Sequence, residues 1–217
     1  MLPVLPTNSV DCIFTSPSPI RKYSEFEAIL EILGELCPRV LKPMGSMWVH
    51  MEDCYSDRGT LMQYPHQFSI KMVNHYKWLL RAQRIWHAPV KDQNFYNDGR
   101  IIDNNRLIMD HSYIFHFTTA RYGYYNNFDE LGGQPCSIFT EKQYMPPPGE
   151  WSTGFSSELI RQSLVMSCPE GGTVLDPFCG TGSTGAVTLR LGRSFIGIEN
   201  DETKITPTIE RLSKILI

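Results

Sequence analysis

Short apolar runs alternate with stretches of helical periodicity along most of the chain. Residues 10–15 (VDCIFT), 46–51 (SMWVHM), 79–86, 112–118 (SYIFHFT), 173–175 and 194–199 read as strands. The first is short and mostly apolar and reads as a buried parallel strand. Between 25 and 40, Phe26, Ile29, Leu30, Leu33, Leu36 and Val40 recur at the spacing of one amphipathic helix, and Lys42-Pro43-Met44-Gly45 reads as its stop. Residues 60–78, 156–168 and 201–214 predict further helices, and a shorter one starts near Thr184. Strands alternating with helices predict an α/β fold: a mostly parallel sheet with helices on both faces. Residues 91–110 are polar and read as a loop. Residues 120–153, with a Tyr-Asn cluster, Gly132-Gly133 and three consecutive prolines, read as an irregular insert outside the main sheet of a single domain spanning 1–217.

Composition narrows this only a little. A chain of 217 residues with 41% hydrophobic and 20% charged residues suits one soluble domain with a substantial core. No apolar run approaches the ~20 residues of a membrane span, and the N-terminus lacks a signal-peptide pattern, so a cytoplasmic protein without membrane contact is expected. The six cysteines form no Cys-x-x-Cys pair, which predicts reduced thiols and no metal site. A net charge of −3 neither advertises nor excludes a nucleic-acid partner.

The candidate chemistry concentrates at 171–185, GGTVLDPFCGTGSTG. A short strand runs into a glycine turn that opens a helix, and free N–H groups at such a helix start favour an anionic group. Gly180-x-Gly182-x-x-Gly185 fits a dinucleotide fingerprint, with Glu199 placed 19 residues on, where a ribose-binding acid is expected. A phosphate loop is disfavoured, since no Lys follows the last glycine. A third reading is an S-adenosylmethionine loop, in which an acid (Asp176) ends the strand and Pro177-Phe178 precede the glycines. Asp176, Glu199 and Ser16 all fall at predicted carboxyl ends of strands, the edge where open α/β sheets bind ligands.

Ser16-Pro17, flanked by Ser18-Pro19, makes a rigid corner after the first strand, able to present a hydroxyl and a carbonyl to an amino group. From Lys71 to Lys91 there are five Lys or Arg residues and no acid, interleaved with His75, Tyr76, Trp78 and Trp86. That stretch, with Arg81, Arg84 and Lys91, is a candidate nucleic-acid face; the competing reading is a solvated helix face plus core aromatics.

Taken together, LPTNSVDCIFTSP (5–17), RVLKPMGS (39–46), DHSYIFHFT (110–118), FSSELI (155–160), PEGG (169–172) and DPFCGTG (176–182) resemble, in this order, the DNA amino-methyltransferases. The arrangement is the permuted one, with the catalytic motif first and the cofactor loop last. The resemblance implies a Rossmann-like methyltransferase fold and S-adenosyl-L-methionine as cofactor. Asp176, Pro177, Phe178, Gly180, Thr181 and Gly182 would hold the methionine part, Glu199 the ribose, and Phe155 and Ser156 would line the pocket. Ser16 and Pro17 would bind the amino group of a base flipped out of double-stranded DNA. Ser at the first motif position is commoner among enzymes acting on cytosine N4, so that acceptor is expected, with adenine N6 or an inactive DNA- or cofactor-binding relative as alternatives. The family's second proline and aromatic are replaced by Ser18 and Pro19; Tyr23 is the candidate to stack on the base. A homodimer and a cognate restriction endonuclease are the further partners the resemblance suggests.

Overall fold

The computed structural model describes residues 4–17, 20–87, 109–123, 128–140 and 156–215. Their centre is a seven-stranded sheet in the order β5-β3-β4-β2-β1-β6-β7. The strands are β1 (Val10–Thr15), β2 (Leu41–Met51), β3 (Leu79–His87), β4 (His111–Thr118), β5 (Ile138–Thr140), β6 (Thr173–Asp176) and β7 (Ser194–Gly197). Within this sheet β4 runs antiparallel to both of its neighbours, and every other pairing is parallel. The carboxyl ends of the six remaining strands therefore share one edge. The order of strands reverses between β1 and β6, which places the ligand crevice there.

Alternation along the central strands divides the core. Ile13, Met47, Val49, Phe115 and Phe117 point to one face, under α1 (Tyr23–Leu30) and α3 (Tyr64–Asn74). Cys12, Phe14, Trp48 and Ile114 point to the other, under α4 (Ser157–Ser167) and α5 (Ser183–Arg190). The last helix, α6 (Glu202–Ser213), flanks α5 and the glycine turn. Burial on both faces is what the mostly apolar run of β1 demands, with Asp11 at its half-buried second position paired to Lys42.

Three expectations need correction. The helix read as continuous over 25–40 is interrupted by a π-helical segment, Glu31–Leu36, before α2 (Cys37–Val40). Pro38 removes the amide that would bond the Gly34 carbonyl, and its ring crowds that carbonyl. The freed Gly34 oxygen instead accepts from Trp78 Nε1 at 3.2 Å. The stop signal at Lys42-Pro43-Met44-Gly45 lies inside β2: Val10 opposes Leu41 and Cys12 opposes Ser46, so these residues bulge out of an uninterrupted strand. Finally, the insert is not wholly outside the sheet, because Ile138–Thr140 forms the edge strand β5 beside β3, with Ile85 paired to Ile138.

Candidate active site

The strand-to-helix turn after β6 is built around a buried carboxylate. Asp176 Oδ1 accepts from Thr15 Oγ1 at 2.6 Å and from the Phe178 amide at 3.1 Å, and its Oδ2 accepts from Thr184 Oγ1 at 2.7 Å. One side chain thus ties the end of β1, the turn and the first residues of α5 together. Burial pushes this carboxyl up to about 6, against the three donors that favour its ionised form; the nearby Glu199 charge adds to the rise. Gly180 and Gly182 take left-handed backbones, with φ of +50° and +78°. A side chain at Gly182 would meet Thr208 Cγ2 at 2.7 Å, whereas the space beside Gly180 is open. Thr208 and Arg211 of α6 hold the turn from behind, donating to the Gly180 and Thr181 carbonyls at 3.0 and 2.9 Å. Glu199, just beyond β7, closes it from the other side by accepting from the amides of Gly180, Asn200 and Asp201.

These donors and acceptors fit a cofactor that carries both an amine and a ribose. A carboxylate offers about four acceptor positions, so Asp176 Oδ2, with one donor on it, and Glu199 Oε2, likewise, retain acceptor capacity. The Cys179 thiol in the same turn is pushed up to about 12 by burial and by the two carboxylates, so it is no nucleophile.

The Ser16-Pro17 corner stands at the neighbouring strand end. Parallel register sets Phe14 beside Trp48 and Thr15 beside Val49, which brings Ser16 level with His50. Ser16 Oγ lies 2.8 Å from His50 Nδ1, and His50 Nε2 lies 2.8 Å from Ser112 Oγ on β4. Burial holds the His50 imidazole down at about 3, so it is neutral. The Trp86 ring tilts over it at 5.6 Å. Glu52, the residue after β2, has exposed surface, yet desolvation raises its carboxyl above the ordinary range. Thr15, Thr184, His50 and Ser112 were not among the residues singled out from the sequence; a histidine in the apolar run SMWVHM was the one available signal.

The remaining sequence candidates separate. Ser156 caps α4, accepting from the Leu159 amide at 3.1 Å. Tyr23 is exposed at the start of α1, its hydroxyl accepting from Lys71 Nζ at 3.1 Å. Arg81 is exposed on β3. Arg84 is a correction: it is 5% exposed, donates to the Cys136 carbonyl and Gln162, and lies over Phe139. It braces β5 against α4 and presents no charge to a phosphate. Trp78 and Trp86 are likewise core residues, so the basic, aromatic stretch is not a continuous binding face. Ser18, Lys91 and Phe155 lie outside the described residues.

A mostly parallel sheet with a glycine turn at the end of β6 and a Ser-Pro corner at the end of the neighbouring β1 defines a Rossmann-like α/β fold with both features on one edge. Comparison with known proteins narrows this: residues 10–210 match the N6/N4 methyltransferase pattern, described as DNA methylase, and the chain belongs to that family. It is 25% identical over 256 aligned positions to the type II methyltransferase M.Cfr9I of Citrobacter freundii, across 96% of this chain and 83% of that one. Among solved structures, the cytosine-N4-specific PvuII DNA methyltransferase superposes with a TM-score of 0.79 at 18% identity, over 99% of this chain and 86% of that one. TTHA0409 of Thermus thermophilus, solved with S-adenosyl-L-methionine, gives 0.73 at 22% identity, over 99% and 89%. At these identities the structural likeness is one of fold.

Proposed function

We propose that this chain transfers a methyl group from S-adenosyl-L-methionine to the exocyclic amino nitrogen of a DNA base flipped out of the duplex, with cytosine N4 as the preferred acceptor. The observation that carries the reading is the Thr15–Asp176 hydrogen bond of 2.6 Å, which locks the amine-accepting corner and the cofactor turn to one another. S-adenosyl-L-methionine, when bound, supplies an electrophilic methyl on a sulfonium. Asp176 and the turn from Pro177 to Gly182 would hold its methionine part, Glu199 its ribose, and Ser156 and Phe155 would line its pocket. Ser16 Oγ and the Pro17 carbonyl are acceptors for the two amino hydrogens. An exocyclic amine shares its lone pair with the ring; hydrogen bonds that draw its protons out of plane free that pair to face the methyl. No covalent enzyme intermediate is needed, and positioning and electrostatics supply the rate. Arg81 and Tyr23 are the exposed described residues we assign to DNA contact. A homodimer, a cognate restriction endonuclease and a cytoplasmic location complete the reading.

The test is transfer of tritiated methyl to unmethylated DNA, followed by nucleoside mass spectrometry. N4-methylcytosine is the expected product. N6-methyladenine would replace the acceptor and leave the site assignment intact. No product with cofactor binding preserved would sink the enzymatic reading in favour of an inactive DNA- or cofactor-binding relative.

A further inference from the structure

We infer that His50 and Ser112 are positioning residues that fix the hydroxyl of Ser16 as a hydrogen-bond acceptor toward the substrate amine. The inference rests on the reading of Ser16 given above. A serine hydroxyl has one proton and two lone pairs, and left to rotate it can offer either. A proton aimed at the amine nitrogen would occupy the lone pair that must attack. Ser16 serves methyl transfer when its own proton points elsewhere, and the acceptor within reach is His50 Nδ1 at 2.8 Å. A neutral imidazole carries one N–H and one bare nitrogen. With Nδ1 bare, Nε2 carries the proton and donates to Ser112 Oγ at 2.8 Å. The donor direction then runs from amine to Ser16, to His50, to Ser112, each group donating inward.

Two features sustain that direction. His50 is 4% exposed and Ser112 5%, so water does not compete for either end. Burial also keeps the ring neutral; an imidazolium would donate from both nitrogens and turn the Ser16 proton toward the base. The contacts depend on the fold, since Ser16 and His50 are 34 residues apart and His50 and Ser112 are 62 apart. Across β2 and β4, His50 opposes Ile114, and Ser112 is the next residue on the same face.

The experiment compares Ser16→Ala, His50→Leu, His50→Asn and Ser112→Ala in tritiated-methyl transfer to unmethylated DNA, with cofactor affinity by calorimetry and thermal melts. His50→Leu should lower kcat roughly ten- to hundredfold, with cofactor Kd within about twofold of wild type. His50→Asn restores an acceptor oxygen near the Nδ1 position and should recover most of the loss. Ser112→Ala, which leaves packing almost untouched, should lower kcat several-fold in the same direction. Wild-type kcat in Ser112→Ala overturns the inference, also if His50→Leu does not fold. Equal losses in His50→Leu and His50→Asn, with weaker cofactor binding, would overturn it in favour of a packing role. Full turnover in Ser16→Ala would instead remove the functional reading beneath it. Independently of activity, nitrogen-15 shifts of the ring should report a neutral His50 from pH 5 to 8, and an imidazolium there is incompatible with the relay.

Discussion

Replacing Thr15 by valine isolates the hydrogen bond that joins the two halves of the site. The substitution keeps the branched shape and removes one hydroxyl, at a position that is 0% exposed facing a carboxylate that is 3% exposed. A hydrogen bond to a charged group contributes about 2 kcal/mol. At roughly 1.4 kcal/mol per pKa unit, its loss should raise the Asp176 carboxyl by about 1.5 units, from its present value of about 6. The sign follows from the direction of the shift. A carboxyl raised in the folded state contributes stability that is fully present below its unfolded pKa and lost as pH rises through its folded pKa. Raising it further penalises the ionised form, so the variant should lose more stability at pH 8 than at pH 4.5. A loss of about 2 kcal/mol corresponds to a melting shift on the order of 5 °C for a chain of this size. Cofactor affinity, which on the proposed role of Asp176 needs the carboxylate, should fall at pH 7 and recover toward pH 8.5, while wild type holds its affinity down to about pH 6. Melting curves and calorimetry at these pH values check both effects. Equal destabilisation at pH 4.5 and pH 8 would refute the claim that the hydroxyl acts on the charged form of Asp176.

Asp176→Ala should abolish cofactor binding, whereas Ser16→Ala should leave it intact and lower turnover; calorimetry showing unchanged affinity in the first variant would remove Asp176 from the cofactor site. Gly182→Ala combines a left-handed backbone with a contact at 2.7 Å to Thr208, and should cost about 1–2 kcal/mol from the backbone alone and loosen α6; an unchanged urea midpoint with full cofactor affinity would contradict this. Arg84→Met should lower the melting temperature without changing the salt dependence of DNA binding, because Arg84 is buried and bonded to Cys136 and Gln162. A phosphate contact would instead reduce the log–log salt slope by about one, read by binding titrations at several salt concentrations.

What the sequence disclosed is what is local in the chain. β1, β6 and β7 are short, mostly apolar runs, and the residues at or just beyond their carboxyl ends follow directly, so Ser16, Asp176 and Glu199 could be placed on one edge before any coordinates. The glycine turn carries its chemistry in adjacent residues. The misreadings have specific physical causes. Pro38 acts on a carbonyl four residues earlier, an effect that hydrophobic spacing does not register, and the relief comes from Trp78, 44 residues away. Pro43 and Gly45 are terminators in most settings, yet here they occupy a bulge whose flanks remain paired. Arg84 is charged in composition and buried in fact, since alternation along β3 sets it against α4. His50 and Ser112 meet only after β2 and β4 pair, so neither could be linked to Ser16 from spacing.

The central pairing of the sheet has a consequence for how the molecule assembles. β1 and β6 are neighbours in space, and the side chains that join them are 161 residues apart. Closing so long a loop costs entropy that nearby contacts do not repay, and chains dominated by such contacts fold slowly. During synthesis β1 can pair early with β2, but its other edge waits for β6, which is made much later. Until then Cys12 and Ile13 present an unpaired, apolar strand edge, the feature that draws chains into edge-to-edge association. Refolding yields should therefore fall as protein concentration rises, with light scattering growing in step. The same chain order that sets the Ser16 corner beside the glycine turn leaves the middle of the sheet as a late seam to close.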